Sequence, residues 1–168
     1  MISPEKDLDI IDGLDSYKRV EHNEAEFCIV TGFDEDEQTL EDKMPEIEAA
    51  FKNNLTMICA NPDMVVVRKN GSRALCAGVI TKKYEEMGGK VIYFGKPHPI
   101  VYKKCFEYLS DIKKNKIAVI GDNLETDIKG ANLQNIDSYL VAGGILGEEL
   151  GIEHGQLPEI DKLKTLCD

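Results

Sequence analysis

Short apolar runs alternate with amphipathic segments along this chain. Apolar runs that end at glycine, asparagine or proline predict strands, and apolar positions that recur every three or four residues predict helices. The predicted strands are 25–32, 56–60, 90–95, 116–121 and 138–142. The predicted helices are 42–53, 79–87, 99–112, 127–133 and 159–166. Strands alternating with helices indicate an α/β fold with a Rossmann-like parallel sheet and right-handed crossovers.

A hairpin interrupts the alternation. It is predicted over 64–76, around the turn sequence Asn70-Gly71. The hairpin, or the turn at Asn61-Pro62 before it, is therefore the candidate boundary between an N-terminal lobe and a C-terminal lobe.

Two predictions concern burial in the second half of the chain. The run 116–121 is the most apolar of the predicted strands, which indicates burial on both faces of a sheet. The predicted helix 99–112 is expected to direct four side chains toward a core: Val101, Cys105, Tyr108 and Leu109.

The chain is acidic. It has 168 residues, with 20 Lys and Arg against 31 Asp and Glu, for a net charge of −11. This balance argues against nucleic acid and anionic membrane surfaces as partners, because both are bound by clustered positive charge. No apolar run reaches the roughly 20 residues of a spanning helix, and no signal peptide is visible. The five widely spaced cysteines indicate reduced, mostly buried thiols, so we expect a cytoplasmic protein.

Two carboxylates follow the most apolar strand. Asp122 comes directly after Gly121, and Asp127 comes at the start of the next predicted helix. Ligands of open parallel sheets bind at the carboxyl ends of strands, and paired carboxylates there suit a hard cation such as Mg²⁺. Acidic residues are also common as helix caps, and the spacing alone leaves both interpretations open.

Two further strand ends carry polar residues. Lys96 follows the strand 90–95 on the same expected sheet edge as Asp122, where its point charge suits a phosphoryl group. Most lysines are solvated surface residues, so this signal is weak by itself. Asn61 and Asp63 flank Pro62 after the strand 56–60, and their residue types favour a plain turn.

Taken together, these segments resemble the later motifs of haloacid dehalogenase-like hydrolases. The matching segments are Asn61-Pro62-Asp63, Gly95-Lys96-Pro97 and the GDxxxTD sequence that runs from Gly121 to Asp127. The closest similarity is to the subclass with a large α/β cap, the phosphatases related to 4-nitrophenylphosphatase. The resemblance implies an aspartyl-phosphate mechanism on a small phosphorylated metabolite, with Mg²⁺ as cofactor.

The same resemblance implies roles for five residues. Lys96 would be the catalytic residue that steadies the nucleophile and the phosphate. Asp122 and Asp127 would be the metal ligands, and Asn61 and Asp63 would face the substrate.

The family's first motif, Asp-x-Asp-Gly at a strand end, is missing. Asp7-Leu8-Asp9 follows no predicted strand, and Asp34-Glu35-Asp36 follows one but lacks the remaining motif residues. The resemblance therefore implies the C-terminal portion of such an enzyme, with 1–60 as a partial α/β cap and 61–168 as the C-terminal half of an incomplete core. We expect a truncated or split chain that is inactive alone, with a separate chain as the source of the N-terminal half. Caps of this type also suggest a homodimer through the cap.

Two alternatives stay open beside the split enzyme. One is a non-catalytic remnant or binding module that retains the cap and a weak Mg²⁺ site. The other is a flavodoxin-like or receiver-type domain, which also uses strand-end carboxylates and a lysine. The latter fits less well, because its acidic pair comes early in the chain and it has no cap.

Overall fold

Helices and parallel strands form the α/β architecture that the alternating pattern predicts. The computed structural model describes residues 1–153 and 155–167. They form two compact units, Met1–Gly95 and the residues from Lys96 onward. This division reports packing within the chain, so the predicted boundary between cap and core near residue 60 stays a prediction.

The first unit is built on a parallel three-stranded sheet. A 3-10 helix over Glu5–Ile11 precedes the sheet. The elements that follow are β1 (Phe27–Val30), α1 (Leu40–Lys52), β2 (Thr56–Cys59), β3 (Val65–Val67), β4 (Arg73–Leu75), α2 (Ala77–Glu86) and β5 (Val91–Tyr93). The sheet order is β1-β2-β5, and Ile2 adds an isolated parallel bridge to Val30. Strands β3 and β4 form the predicted hairpin.

The core of the first unit lies between this sheet and its helices. Alternate residues of β1 and β2 are buried, as expected for strands with one covered face. They pack with buried side chains of α1 and α2, including Ile47, Ile80 and Tyr84. The Tyr84 hydroxyl donates a hydrogen bond of 2.5 Å to the carbonyl of Leu55, so its polar tip is satisfied inside the core.

The second unit contains a parallel pair of strands. Its elements are α3 (Pro99–Tyr108), a 3-10 turn (Lys114–Lys116), β6 (Ala118–Gly121), a π-helix (Leu124–Ile128), α4 (Lys129–Gln134), β7 (Asp137–Leu140), α5 (Gly147–Leu150) and α6 (Ile160–Cys167). Strand β6 pairs with β7 in parallel register. A small cluster of Tyr102, Ala131 and Ile136 forms its core, with Val119 of β6 packed against it.

The predicted burial of β6 on both faces is wrong. Ala118 is exposed, and the Ile120 side chain is 72% exposed. In the described part of the second unit β6 pairs with β7 alone, and the small core covers only the face that carries Val119. An apolar strand is buried on both faces only where other elements cover both, and that condition is not met here.

The predicted inner face of α3 is also largely wrong. Cys105, Tyr108 and Leu109 are exposed, and only Val101 of the four packs against the core. The buried residue of α3 is Tyr102 instead. The helix ends at Tyr108, one turn before the predicted end.

The cysteines follow the prediction where their side chains are described. Cys28, Cys59 and Cys76 are buried free thiols, Cys105 is an exposed free thiol, and the side chain of Cys167 lies outside the described ones. Across the described residues, no helix is long and apolar enough to cross a membrane.

Candidate functional site

Asp122 lies at the carboxyl end of β6, where the loop after β7 closes around it. Its Oδ2 accepts a hydrogen bond of 3.1 Å from the Ile145 backbone N–H. A Cβ on Gly144 would overlap this carboxylate, so the loop reaches the side chain only with glycine at that position. The carboxylate is thus held by backbone from a distant part of the second unit.

Asp127 is the buried carboxylate of the site. It lies in the π-helix after β6 and is 6% exposed. Its Oδ2 accepts the Asn123 backbone N–H at 3.3 Å, and its Oδ1 lies 2.6 Å from the Lys96 Nζ. A Cβ on Gly121 would overlap the Asp127 carboxylate, so the glycine of the GDxxxTD sequence is required for this close approach.

Lys96 and Asp127 form an unequal ion pair. The Lys96 side chain is 41% exposed, whereas the Asp127 side chain is 8% exposed. The carboxylate is therefore fixed inside the unit while the ammonium stays accessible to an incoming anion. Among the described residues, the strand before Lys96 (β5) and the strand before Asp122 (β6) belong to separate sheets, so the expected shared sheet edge is not formed. The Lys96 side chain contacts Asp127 instead.

The arrangement around the π-helix also bears on the capping interpretation. The residue that caps this helix is Asn123, whose Oδ1 accepts the Glu125 backbone N–H at 2.9 Å. Asp122 makes its contact with Ile145 instead. Asp122 is therefore not used as the cap of the helix that follows it.

The two carboxylates fit a hard cation that keeps most of its water. Magnesium binds through one or two carboxylates and takes its other ligands from water and phosphate. No group of three His, Cys, Asp or Glu within residues 1–153 and 155–167 is placed to hold a metal ion. Gly121 and Gly144 keep space for the two carboxylates that a Cβ would fill. This donor set suits Mg²⁺ and does not suit a zinc site of three or four ligands.

Asn61 and Asp63 belong to a turn in the first unit that a side-chain hydrogen bond stabilises. The Asn61 Oδ1 accepts the Asp63 backbone N–H at 3.2 Å, and Pro62 between them packs so closely that a Cβ on Gly78 or Gly95 would overlap it. The Asp63 Oδ1 is buried without a hydrogen-bond partner among the described residues. The turn expected from the residue types is present, and it carries an acceptor that is not used within the unit.

The sequence patterns missed Tyr102, and they gave no role to Gly130, which follows the GDxxxTD sequence. The Tyr102 hydroxyl occupies the space that a Gly130 side chain would take, next to the turn that carries Asp127. Burial raises the pKa of Tyr102, the Asp127 carboxylate raises it further, and the Lys96 ammonium lowers it. A tyrosine six residues after the lysine and a glycine three residues after the aspartate were the available signals.

Known proteins match both units. Residues 93–162 match the family described as HAD-hydrolase-like. An acid sugar phosphatase from Staphylococcus saprophyticus is 27% identical over 138 residues, which are 82% of this chain and 52% of that protein. Its counterpart from Staphylococcus aureus is 26% identical over 88% of this chain and 55% of its own length. The chain therefore spans about half the length of the curated relatives it matches.

Solved structures agree with these matches. A haloacid dehalogenase-like hydrolase from Brucella suis is 32% identical, with a TM-score of 0.78 over 95% of this chain and 62% of that chain. A thermostable NPPase from Geobacillus stearothermophilus is 28% identical, with a TM-score of 0.57 over 83% of this chain and 53% of its own. The predicted resemblance to haloacid dehalogenase-like hydrolases is confirmed: the chain is similar to a C-terminal portion of hydrolases that include the p-nitrophenylphosphatases.

Proposed function

We propose that these 168 residues supply the lysine and metal-binding half of a Mg²⁺-dependent phosphomonoesterase site that acts on a small phosphorylated metabolite. The observation that carries the proposal is the 2.6 Å pair of Lys96 Nζ and Asp127 Oδ1 beside the carboxyl end of β6. Transfer of a phosphoryl group needs positioned positive charge, because negative charge spreads over the phosphoryl oxygens in the transition state.

Lys96 is the group that meets the phosphoryl oxygens. Its ammonium is partly exposed and is held at the site by a buried carboxylate, so a positive charge is available to an incoming phosphate.

Asp122 and Asp127 would hold the metal. When bound, Mg²⁺ neutralises charge on the phosphoryl oxygens. Both oxygens of Asp127 already have partners in Lys96 and Asn123, which favours contact with the metal through water. Asp122 has a backbone partner on Oδ2 and is the better candidate for direct ligation.

The nucleophile is proposed to lie outside these residues. Asp34, the best local candidate, has its Oδ2 2.6 Å from the Nζ of Lys43, which is 3% exposed. Asp36 pairs with the Arg68 guanidinium. Both carboxylates are held by structural ion pairs within the first unit, which supports a chain that is inactive alone and is completed by further polypeptide.

The exposed strand pair supports the same proposal. Ile120 of β6 is 72% exposed and Tyr139 of β7 is 64% exposed. Within the described part of the second unit, β6 uses one edge, toward β7. An open strand edge with apolar neighbours favours strand addition from another segment.

Asn61 and Asp63 are proposed to contact the substrate. The unused Oδ1 of Asp63 is a hydrogen-bond acceptor suited to a hydroxyl group. The matched relatives are named acid sugar phosphatases, which makes phosphorylated sugars the first substrates to test.

The test is phosphate release and phosphate binding by the 168-residue chain with Mg²⁺. Absence of the nucleophile lowers turnover on the order of a million-fold, so we expect no release from p-nitrophenyl phosphate or sugar phosphates. We expect calorimetry to detect orthophosphate binding, about tenfold weaker in Lys96→Met, because a charge-assisted hydrogen bond is lost. Lys104→Met is the matched control, since Lys104 is an exposed lysine paired with Glu107.

Two results would overturn this proposal. Robust turnover that Asp34→Asn abolishes would show that the nucleophile lies within these residues. Orthophosphate binding that is equal in wild type, Lys96→Met and Asp122→Asn would show that the pair is structural.

A non-catalytic binding module is the second candidate. It is favoured because the Asp34 and Asp36 carboxylates are both held in ion pairs and so are poor nucleophiles. The discriminating measurement adds the N-terminal portion of the Brucella suis relative as a separate polypeptide. Restored turnover supports the split enzyme, and binding without turnover supports the module. Sedimentation of the chain alone tests the predicted homodimer.

A further inference from the structure

Tyr102 carries a buried hydroxyl that the packing of the second unit leaves unused. The residue is 6% exposed, and its Oη has no hydrogen-bond partner among the described residues. A buried hydroxyl without a partner costs about 1–3 kcal/mol, so phenylalanine would suit this position better if packing were the only requirement.

Gly130 shows where this hydroxyl lies. A Cβ on Gly130 would overlap the Tyr102 Oη, so the hydroxyl occupies the place of a Gly130 side chain. Asp127 lies three residues earlier, in the π-helix that runs into α4, and both residues are buried. The hydroxyl therefore lies about one helical turn from Asp127 along this segment.

The charges of Asp127 and Lys96 also act on the pKa of Tyr102. After burial, the Asp127 carboxylate is the next cause of its raised pKa, and the Lys96 ammonium acts in the opposite direction. Tyr102 thus lies within electrostatic reach of both members of the ion pair.

We propose that Tyr102 is a positioning residue for Asp127: its hydroxyl donates a hydrogen bond to the carboxylate when the Lys96 ammonium leaves Asp127. This exchange of partners rests on the proposed function, in which Lys96 turns toward a bound phosphate. The Asp127 carboxylate can meet the new donor by rotating about its Cβ–Cγ bond, which is a soft torsion.

The energetic reason is the position of Asp127. Among the described residues, an Asp127 carboxylate that loses its lysine partner keeps one hydrogen-bond donor, the Asn123 backbone N–H at 3.3 Å. Leaving a buried charged group unpaired costs more than leaving a hydroxyl unpaired. A donor held in reserve lets Lys96 engage an anion without that full cost.

A double-mutant cycle on stability tests this without phosphate or metal. The urea midpoint is measured by far-UV circular dichroism for wild type, Tyr102→Phe, Lys96→Met and the double variant. We expect Tyr102→Phe alone to shift the midpoint little. We expect the shift caused by Lys96→Met to be about twice as large in the Tyr102→Phe background, because the reserve donor is then missing. If the double variant does not fold, Lys96→Gln replaces Lys96→Met with the same expected direction.

Controls separate this role from simple packing. Tyr108→Phe removes a hydroxyl from the exposed end of α3 and is expected to be additive with Lys96→Met. Additive shifts for Tyr102→Phe would overturn the proposal, and so would a loss of stability in Tyr102→Phe as large as that in Lys96→Met. Thr126 in the π-helix also has a buried hydroxyl without a hydrogen-bond partner among the described residues, so coupling seen with Thr126→Val and absent with Tyr102→Phe would also overturn the proposal.

Orthophosphate binding with Mg²⁺ distinguishes failure of this inference from failure of the proposed function. Tyr102→Phe is expected to bind orthophosphate about fivefold more weakly than wild type, because Lys96 then leaves an unpaired carboxylate. Coupling in the cycle without any orthophosphate binding by wild type would support the positioning role and refute the phosphate site. Wild-type binding together with additive shifts would overturn the positioning role alone.

Discussion

The two units bury similar strands to very different degrees. In the first unit, alternate residues of β1 and β2 are fully buried against α1 and α2. In the second unit, the strand with Ile120 is as apolar in sequence, yet the Ile120 side chain is 72% exposed. The difference lies in what covers the faces of the strands: α1 and α2 bury one face of the first sheet, whereas the small core of the described second unit leaves even Val119 only partly buried.

The comparison shows that the candidate site does not depend on an extensive core. Asp122, Asp127 and Lys96 are held by backbone donors, by an ion pair and by glycines that permit close approach. These local contacts position the side chains in the unit that buries less, and they explain why Lys96 and Asp127 are paired although the predicted burial of β6 was wrong.

The largest expected difference between the units comes from truncating one isoleucine in each of them. Ile80 is fully buried in α2, so Ile80→Ala is expected to lower the free energy of unfolding by about 2–5 kcal/mol. Ile120→Ala is expected to change it by about 0.5 kcal/mol or less, because the side chain is already in water. Urea unfolding of both variants measures this, and equal losses would show that β6 is covered in solution.

Gly130→Ala tests the tight packing of the second unit. The new Cβ would overlap the Tyr102 hydroxyl, so we expect a loss of about 1–3 kcal/mol in the free energy of unfolding. Adding Tyr102→Phe removes the clashing oxygen and is expected to restore part of the loss. Gly143→Ala is the matched control, because a Cβ there meets no atom within 4 Å. No difference between Gly130→Ala and Gly143→Ala would contradict the close contact.

Alkaline pH tests the ion pair between Lys43 and Asp34 in the first unit. Burial of the Lys43 ammonium lowers its pKa, but the hydrogen bonds to Asp34 and Glu46 outweigh this, so the pKa of Lys43 is raised above its usual 10.5. A raised pKa stabilises the fold at every pH below the unfolded value and loses that contribution as pH rises through the folded pKa. The difference in urea midpoint between wild type and Lys43→Met is therefore expected to be constant from pH 7 to about 10 and to shrink above it. A difference that grows with pH would contradict the pairing.

The smallest expected effect on stability belongs to a variant that is designed to change self-association. Ile120→Lys places a charge on the exposed strand face and is expected to change the free energy of unfolding by about 0.5 kcal/mol or less. It is also expected to reduce concentration-dependent association, because charged residues protect open strands from pairing. Sedimentation velocity over a range of concentrations measures this, and a wild type that stays monomeric would remove the premise.

The strand-end residues could be predicted because they depend on local order. Apolar runs and glycines located the strands, and the carboxyl ends of parallel strands then indicated Asp122 and Lys96. The roles of Tyr102 and Gly130 could not be predicted in this way, because their contact joins two helices separated by some thirty residues. The pairing of Asp34 with Lys43 was missed for a different reason: a buried lysine carries no signature in an acidic helical pattern.

By itself, the sequence determined the alternation of strands and helices, the hairpin, and which side chains follow each strand, because periodicity and turn residues act over a few positions. Only the tertiary structure decided which apolar faces are covered, which carboxylates are occupied by ion pairs, and where the unused hydroxyl of Tyr102 lies. Burial and pairing depend on what distant segments bring to the same place, and no local pattern encodes that.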